Sequence, residues 1–207
     1  MTSSVNDPIF RPADILIPRV ADMTAWSVVA CDQFTSDREY WARAEARAGE
    51  SPSALRLILP EIYLGEPDVA RRIADLGGAA REYLRRGIFY EARDSFVLVR
   101  RTLASGKTRL GLIGALDLDA YEYERDGAPI RASEQTVPGR LPPRVKIRTA
   151  SPLETPHLMA LISDPERSVI EPLTARDLPR LYDFELMEGG GRVAGYRVSG
   201  EHADAAL

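Results

Sequence analysis

The chain has 207 residues, 44% of them hydrophobic, which suffices for one large domain or two small ones with a substantial core. Its formal net charge of −4 argues against general affinity for DNA or RNA, because such binding depends on many neutralised phosphates. One cysteine excludes an internal disulfide, and there is neither a signal-peptide pattern nor the run of ~18 apolar residues that a membrane span needs, so we expect a cytoplasmic protein with no membrane partner.

The N-terminal quarter predicts two strands and a helix. Prolines exclude a long helix at the start, and residues 15–17 indicate a short strand there. The β-branched apolar run 26–31 is typical of a buried strand. Ser36 and Glu39 match the S-x-x-E capping box, which predicts a helix that begins at Ser36 and stops at Gly49.

A second helix is predicted after a proline-bracketed apolar segment. Residues 51–65 indicate a buried loop or a short helical turn. Residues 67–86 carry apolar side chains at helical spacing. Gly77 and Gly78 weaken the middle of this helix by roughly 1 kcal/mol each relative to alanine. We therefore expect a kink or a close helix contact at these glycines.

Period-two alternation between residues 87 and 119 predicts an antiparallel hairpin. Its strands are 96–101 and 110–116, joined by a turn at 105–107. The segment 116–124 continues the alternation and is predicted to extend the sheet.

The C-terminal third predicts a strand at 157–162, a helix at 174–188 and a strand at 192–198, followed by a helical start after residue 199. These elements together favour an α+β class, with a mixed, largely antiparallel sheet and flanking helices. A sheet edge would be exposed where the sequence stops, which indicates a fragment or a partner that covers the edge.

The stretch from Arg131 to Arg148 contrasts with the acidic remainder of the chain. It holds one acidic residue, Glu134, and five basic residues: Arg131, Arg140, Arg144, Lys146 and Arg148. Outside it, the chain has 22 Lys+Arg and 30 Asp+Glu. Such an island of positive charge is a candidate anion site, stiffened here by three prolines.

On a strand, the cations of Arg144, Lys146 and Arg148 would share one face. With Arg131 or Arg140 they could surround a phosphate or carboxylate, with Glu134 as a base held among arginines. The alternative is a solvated face whose cations pair with neighbouring acids, and the residues leave both interpretations open.

Other polar groups are weaker candidates for chemistry. The turn that begins with Asp32 and Gln33 precedes a helix N-terminus, where N–H groups attract anions, although plain capping is the commoner role. An acidic cluster could hold Mg²⁺, but an acidic outer face of a sheet is favoured for it; its members are Asp117, Asp119, Glu122 and Glu124. No zinc-binding pattern surrounds His157 or His202, and Cys31 is expected to be a small buried residue.

Several segments together resemble a bacterial family, the domain-of-unknown-function 1015 family. They run in the family's order and span most of the chain: FRPADILIP, WSVVACDQFTSDREYW, SALRLILPEIYL, IRASEQTVPGRLPPRVKIR and ETPHLMALISDPERSVIEPL. The family is similar in fold to ParB and sulfiredoxin, its members are often encoded beside serine-biosynthesis genes, and an archaeal relative by fold is a kinase of free serine. The resemblance implies a phosphotransferase that acts on serine or phosphoserine with ADP or ATP, and such a kinase would need Mg²⁺.

The resemblance also implies that residues 1–207 form a single α+β domain at the N-terminus of a longer protein. Full-length members carry a Gly-Asn-His or Gly-His-His phosphate-binding loop beyond the point that corresponds to Leu207. If that loop is required, this chain alone binds weakly and catalyses nothing. The polar positions that carry over are Glu134, Thr136, Arg140, Arg144 and Arg148, with Asp32 and Gln33 in the first turn.

Two functions of different classes follow. The leading hypothesis is the substrate side of a small-molecule phosphotransferase, in which the arginines of 131–148 clamp a phosphorylated metabolite and Glu134 acts as base. The alternative is a non-catalytic anion-binding or assembly domain, in which the same arginines pair with another copy in a homo-oligomer or with chain beyond residue 207. ParB-like nucleic-acid binding is disfavoured by the acidic charge balance.

Overall fold

An antiparallel sheet organises the fold, and its central strand is β3 (Phe89–Thr102). The structure is a computed structural model that describes residues 8–29, 34–122, 128–132, 137–155 and 157–200, apart from the side chain of Arg140. The other strands are β1 (Phe10–Arg11), β2 (Ala13–Pro18), β4 (Thr108–Ile113), β5 (Ala115–Leu116), β6 (Arg180–Glu185) and β7 (Arg192–Val198).

The two halves of β3 have different neighbours. Its first half pairs with β2, whereas its second half lies between β4 and β7, and β6 pairs with the far edge of β7. All of these pairings are antiparallel, and β1 and β5 form a separate two-stranded sheet. The predicted α+β class with a largely antiparallel sheet is confirmed.

Helices lie around the sheet. The α-helices are α1 (Met23–Trp26), α2 (Arg38–Ala48), α3 (Val69–Arg85) and α4 (Leu141–Ala150). Short 3₁₀ helices cover Ala54–Leu57, Glu61–Tyr63, Leu118–Ala120, Pro138–Arg140, Glu171–Ala175 and Met187–Gly189.

Alternate residues of β3 enter two different cores. Phe96 packs in a cluster with Val198 of β7, and Val97 packs in a separate cluster with Ile17 of β2. A third cluster contains Tyr40 of α2, whose hydroxyl accepts the N–H of Val29 at 2.8 Å. The sheet is therefore buried on both faces at the centre of β3, from Ser95 to Leu98.

Several local predictions are confirmed. Strand β2 contains 15–17, the two 3₁₀ helices between Ala54 and Tyr63 occupy the segment predicted as a loop or short turn, and the hairpin is formed by β3 and β4. Helix α2 stops at Gly49 as predicted, but its N-cap is Asp37 and not Ser36. Helix α3 and strand β7 lie within one or two residues of the predicted bounds.

The predicted close helix contact at Gly77 is also confirmed. A Cβ atom placed on Gly77 would lie 2.2 Å from the carbonyl oxygen of Ala150, the last residue of α4. Gly78, by contrast, faces open space. The glycine at position 77 is therefore what lets α4 approach α3 this closely.

Two predicted strands are wrong in the N-terminal and middle parts of the chain. Trp26 ends α1, and the described residues that follow it, 27–29, are not in a strand. Residues 118–120 form a 3₁₀ helix in which Asp117 accepts the N–H of Asp119, so the alternation of 116–124 does not extend the sheet. The run 26–31 has six residues, and an apolar run of that length suits either kind of structure. The segment 116–124 alternates apolar and acidic residues, and the local cap by Asp117 selects a 3₁₀ helix at 118–120.

Two C-terminal predictions are wrong as well. The segment 157–162 is neither strand nor helix, and its apolar side chains are exposed. The predicted helix 174–188 is instead a strand, β6, after the 3₁₀ helix ending at Ala175. Pairing with β7 supplies the backbone hydrogen bonds of β6, and the hydrogen bond from Arg192 lowers the pKa of Asp183 across this pair.

Tyr182 of β6 makes the free energy of unfolding decrease as the pH rises into the alkaline range. Burial raises the pKa of its hydroxyl from 10.0 to about 12. The unfolded chain therefore loses this proton first as the pH rises above 10, and stability declines until the folded state also ionises. The expected loss between about pH 9 and pH 11 is about 1.4 kcal/mol, measured by urea unfolding, and Tyr182→Phe should remove that part of the slope. An unchanged slope in Tyr182→Phe would mean that another group titrates.

Candidate functional site

The basic stretch folds into helix α4 and not into a strand. Pro142 and Pro143 lie in its first turn, where backbone N–H groups have no intrahelical partner and proline is tolerated. Residues four apart in a helix share a face, whereas residues two apart point away from each other. Lys146 therefore leaves the face of Arg144 and Arg148, and the predicted three-cation face is wrong.

Arg144 and Arg148 pair with different carboxylates, one that precedes α4 in the sequence and one that follows it. A terminal nitrogen of Arg144 donates to Oε1 of Glu61 at 3.2 Å, and Arg148 pairs with Glu154. The position of α4 is set by its close approach to Gly77 of α3. The ion pair between Arg144 and Glu61 joins the N-terminal half of α4 to the 3₁₀ helix Glu61–Tyr63.

A groove of about 310 Å³ lies beside this contact. We name it the Ser36 groove; its lining residues are Thr35, Ser36, Arg38, Glu61 and Ile62. Thr35 and Ser36 belong to the turn before α2, and Glu61 is the partner of Arg144. The groove thus joins the turn before α2 to Glu61, and the basic stretch is linked to it through the ion pair of Arg144 with Glu61, since none of the described residues of 131–148 lines it.

The hydroxyl groups of the Ser36 groove have no hydrogen-bond partner within the part of the chain that the structure describes. Asp37 caps α2 by accepting the N–H of Tyr40 at 2.8 Å, so the Ser36 hydroxyl is not used for capping. Ser36 is exposed and Thr35 is half-buried. Both hydroxyls can therefore donate to, or accept from, a small ligand in the groove.

The charges around the Ser36 groove are mixed. Arg38 pairs with Glu66 at 2.6 Å, and Arg144 pairs with Glu61 at 3.2 Å. The side chains of both arginines are more than half exposed. Exposed pairs of this kind contribute about 0–1 kcal/mol, so a ligand can replace one partner at little cost. The groove can therefore offer cations to an anionic group and a carboxylate to an ammonium group.

The remaining sequence-predicted residues are not brought to the groove by the described contacts. Arg131 donates from Nε to the carbonyl of Ala128 at 3.3 Å, and Lys146 is exposed without an ion-pair partner among the described residues. Arg140 ends the 3₁₀ helix that precedes α4, and its side chain is outside the description. Four predicted residues lie outside the described ranges: Asp32, Gln33, Glu134 and Thr136.

Within the described ranges, no three His, Cys, Asp or Glu side chains cluster as metal ligands. Asp117 caps a 3₁₀ helix, and Asp119 and Glu122 are exposed. Glu124, His202 and Cys31 lie outside the described residues, and His157 is exposed.

Sequence reasoning missed two residues of the Ser36 groove, Arg38 and Glu61. Glu61 carries the one signal that could have identified it, because it is the sole acidic residue of the apolar segment 51–65. The Glu61 side chain is partly exposed, and Arg144 is its ion-pair partner. Arg38 is one of several helix arginines and carries no comparable signal.

Comparison with known proteins identifies one family. A family model described as "Protein of unknown function (DUF1015)" matches residues 12–207. No curated protein and no solved structure matches the chain. Among the described residues, none of the helices has the length and apolar character to cross a membrane.

Proposed function

The chain belongs to the DUF1015 family of proteins of unknown function, and from this premise we propose that it forms the substrate side of a small-molecule phosphotransferase. Its substrate is serine or phosphoserine, and the other substrate is ADP or ATP with Mg²⁺. The observation that carries the proposal is the Ser36 groove, in which two hydroxyls without a hydrogen-bond partner among the described residues lie beside oppositely charged side chains.

The mixed charge of the groove suits a zwitterion better than a simple anion. Serine and phosphoserine carry an ammonium group, a carboxylate and, in phosphoserine, a phosphate. Glu61 can accept from the ammonium group, and Arg38, which lines the groove, offers a planar donor pair to carboxylate or phosphate. Arg144, the ion-pair partner of Glu61, adds a second guanidinium beside the groove. The hydroxyls of Thr35 and Ser36 complete the polar lining.

The other basic residues of the 131–148 stretch are proposed to strengthen the positive potential that draws the anion toward the groove; they are Arg131, Arg140, Lys146 and Arg148. Glu134 is the proposed base, and Thr136, Asp32 and Gln33 are proposed additional contacts. Asp32 and Gln33 directly precede the turn that lines the groove.

A non-catalytic assembly domain is the second candidate, and one observation favours it. Helix α4 buries none of its described side chains, and four apolar residues that follow it in sequence are 56–92% exposed: Leu158, Met159, Leu161 and Ile162. Apolar groups exposed in a row are typical of a surface that another polypeptide covers. In this function, α4 and its arginines contact a partner.

Arg144→Ala tests the first proposal. We expect it to weaken phosphoserine binding by at least about tenfold, because it removes a charged donor at the groove and leaves Glu61 to repel the phosphate. Affinity is measured by isothermal titration calorimetry, with thermal-shift titrations of serine, ADP and ATP, with and without Mg²⁺, run beside it.

Arg47→Ala is the matched control, since Arg47 also forms an exposed ion pair, with Asp22, but lies at the other end of α2 from the groove. The control should bind phosphoserine like the wild type. Equal affinity in Arg144→Ala and Arg47→Ala would reject the role of Arg144. Absence of phosphoserine binding by the wild-type chain would leave the assembly function as the better description.

A further inference from the structure

A second groove, of about 340 Å³, lies between α2 and α3 and borders the same 3₁₀ helix as the Ser36 groove. We name it the Trp41 groove. It has an apolar floor and a charged rim, and no described residue of the proposed serine site lines it. The charged lining residues are three arginines and two carboxylates: Arg56, Arg71, Arg72, Glu45 and Asp75. Its volume is at the lower end of the range usual for small-molecule sites.

The floor of the Trp41 groove is preformed. Trp41, Leu55 and Leu76 line it, and each is less than a tenth exposed. The indole N–H of Trp41 donates to the carbonyl of Phe34 at 2.9 Å, and its ring meets that of Tyr40 edge to face. The orientation of the indole is therefore set before any ligand arrives, which lowers the entropic cost of binding.

The Arg72 side chain lies at the rim of the groove, where two contacts orient it and leave some of its N–H donors unused among the described residues. Its Nε donates to Asp68 at 3.0 Å, and its guanidinium lies 4.0 Å from the centre of the Tyr63 ring. Its two terminal nitrogens have no acceptor among the described residues. The two neighbouring arginines have their terminal nitrogens occupied. Arg71 donates to Asp68 and Asp75, and Arg56 donates to Glu45 and to the carbonyl of Gly49.

We propose that the Trp41 groove binds an organic anion with an aromatic body, such as an aromatic phosphate. The aromatic body lies on the floor formed by Trp41, Leu55 and Leu76, and the anionic group accepts from the terminal nitrogens of Arg72. A rigid apolar floor next to an oriented guanidinium is the combination that such a ligand requires. This site does not depend on the proposed serine chemistry.

Trp41 provides a direct readout of this site. Of the two tryptophans, only Trp41 lines the groove, while Trp26 packs against Tyr83 and Phe89 in another cluster. The wild-type chain is titrated with phenyl phosphate, ADP and inorganic phosphate, and tryptophan fluorescence is followed. We expect saturable changes with phenyl phosphate and ADP, and binding at least about tenfold weaker for inorganic phosphate, which lacks the aromatic body. The tighter of the two aromatic ligands indicates whether a nucleotide or a simpler aromatic phosphate is the better fit.

Arg72→Ala should weaken phenyl phosphate binding by about tenfold or more, and Arg72→Lys should restore only part of it, because lysine lacks the planar fork. Arg85→Ala is the matched control, since Arg85 forms an exposed pair with Glu82 on the same helix outside the groove. Unchanged affinity in Arg72→Ala overturns the proposal. So does the absence of a fluorescence change with both aromatic ligands at millimolar concentration, or equally tight binding of inorganic phosphate. Phosphoserine titrated into the same variants tests the serine site separately, since Arg72→Ala should leave that binding unchanged.

Discussion

Gly195→Ala is expected to destabilise the protein by about 3 kcal/mol, because the added methyl group has no space. A Cβ atom on Gly195 would lie 2.2 Å from Cζ of Tyr182 on the neighbouring strand and 2.6 Å from two more ring atoms. The ring packs beside Phe184 and within the cluster of Val97, so it cannot turn away without disturbing the sheet. Urea unfolding of the variant and the wild type measures the difference.

Gly111→Ala is the matched control for this prediction. Gly111 and Gly195 both pair with Val99, from the two opposite edges of β3, but a Cβ atom on Gly111 meets nothing within 4 Å. Alanine there limits the freedom of the unfolded chain, so we expect a small gain of about 0.4–1 kcal/mol. If the two variants were equally stable, the Tyr182 ring would have room to move and the packing argument would fail.

Gly77→Ala is expected to destabilise the protein by about 2 kcal/mol, even though alanine is favoured over glycine in a helix by about 1 kcal/mol. The added methyl group would overlap the carbonyl oxygen of Ala150, which is backbone and cannot rotate aside. Helix α4 must then move away from α3. Because α4 carries Arg144, the variant should also bind phosphoserine more weakly if the Ser36 groove is the serine site.

Gly78→Ala is the control that distinguishes the effect of the α3–α4 contact on stability from the effect of the higher helix propensity of alanine. It lies next to Gly77 in α3 and faces open space, so alanine should stabilise the protein by about 0.5–1 kcal/mol. Urea unfolding of both variants gives the comparison. A gain in Gly77→Ala similar to that in Gly78→Ala would show that α4 does not approach α3 at this point.

The candidate site could be predicted only in part. The charge contrast of residues 131–148 and the turn before α2 are visible in the sequence, because charge and turn chemistry are local properties. The contact of the basic stretch with Glu61, which lines the groove beside that turn, is not visible, since Arg144 and Glu61 are 83 positions apart and meet only in the folded chain. Arg72 in the Trp41 groove carries no sequence signal either, because its role follows from the Tyr63 ring beneath it.

By itself, the sequence determined the elements whose stabilising contacts are close along the chain. Helix α3 has its apolar stripe, the hairpin of β3 and β4 has its turn, and Gly77 indicated a helix contact. Only the tertiary structure decided the short ambiguous segments. The segment 144–148 (RVKIR) is helical, and β6 is a strand. A run of five or six residues is compatible with both the helical and the strand periodicity, and the element that it packs against decides between the two structures. The contact of Arg144 with Glu61, a lining residue of the Ser36 groove, follows from the first of these choices, so the tertiary structure also decided which arginine of the basic stretch lies next to the candidate site.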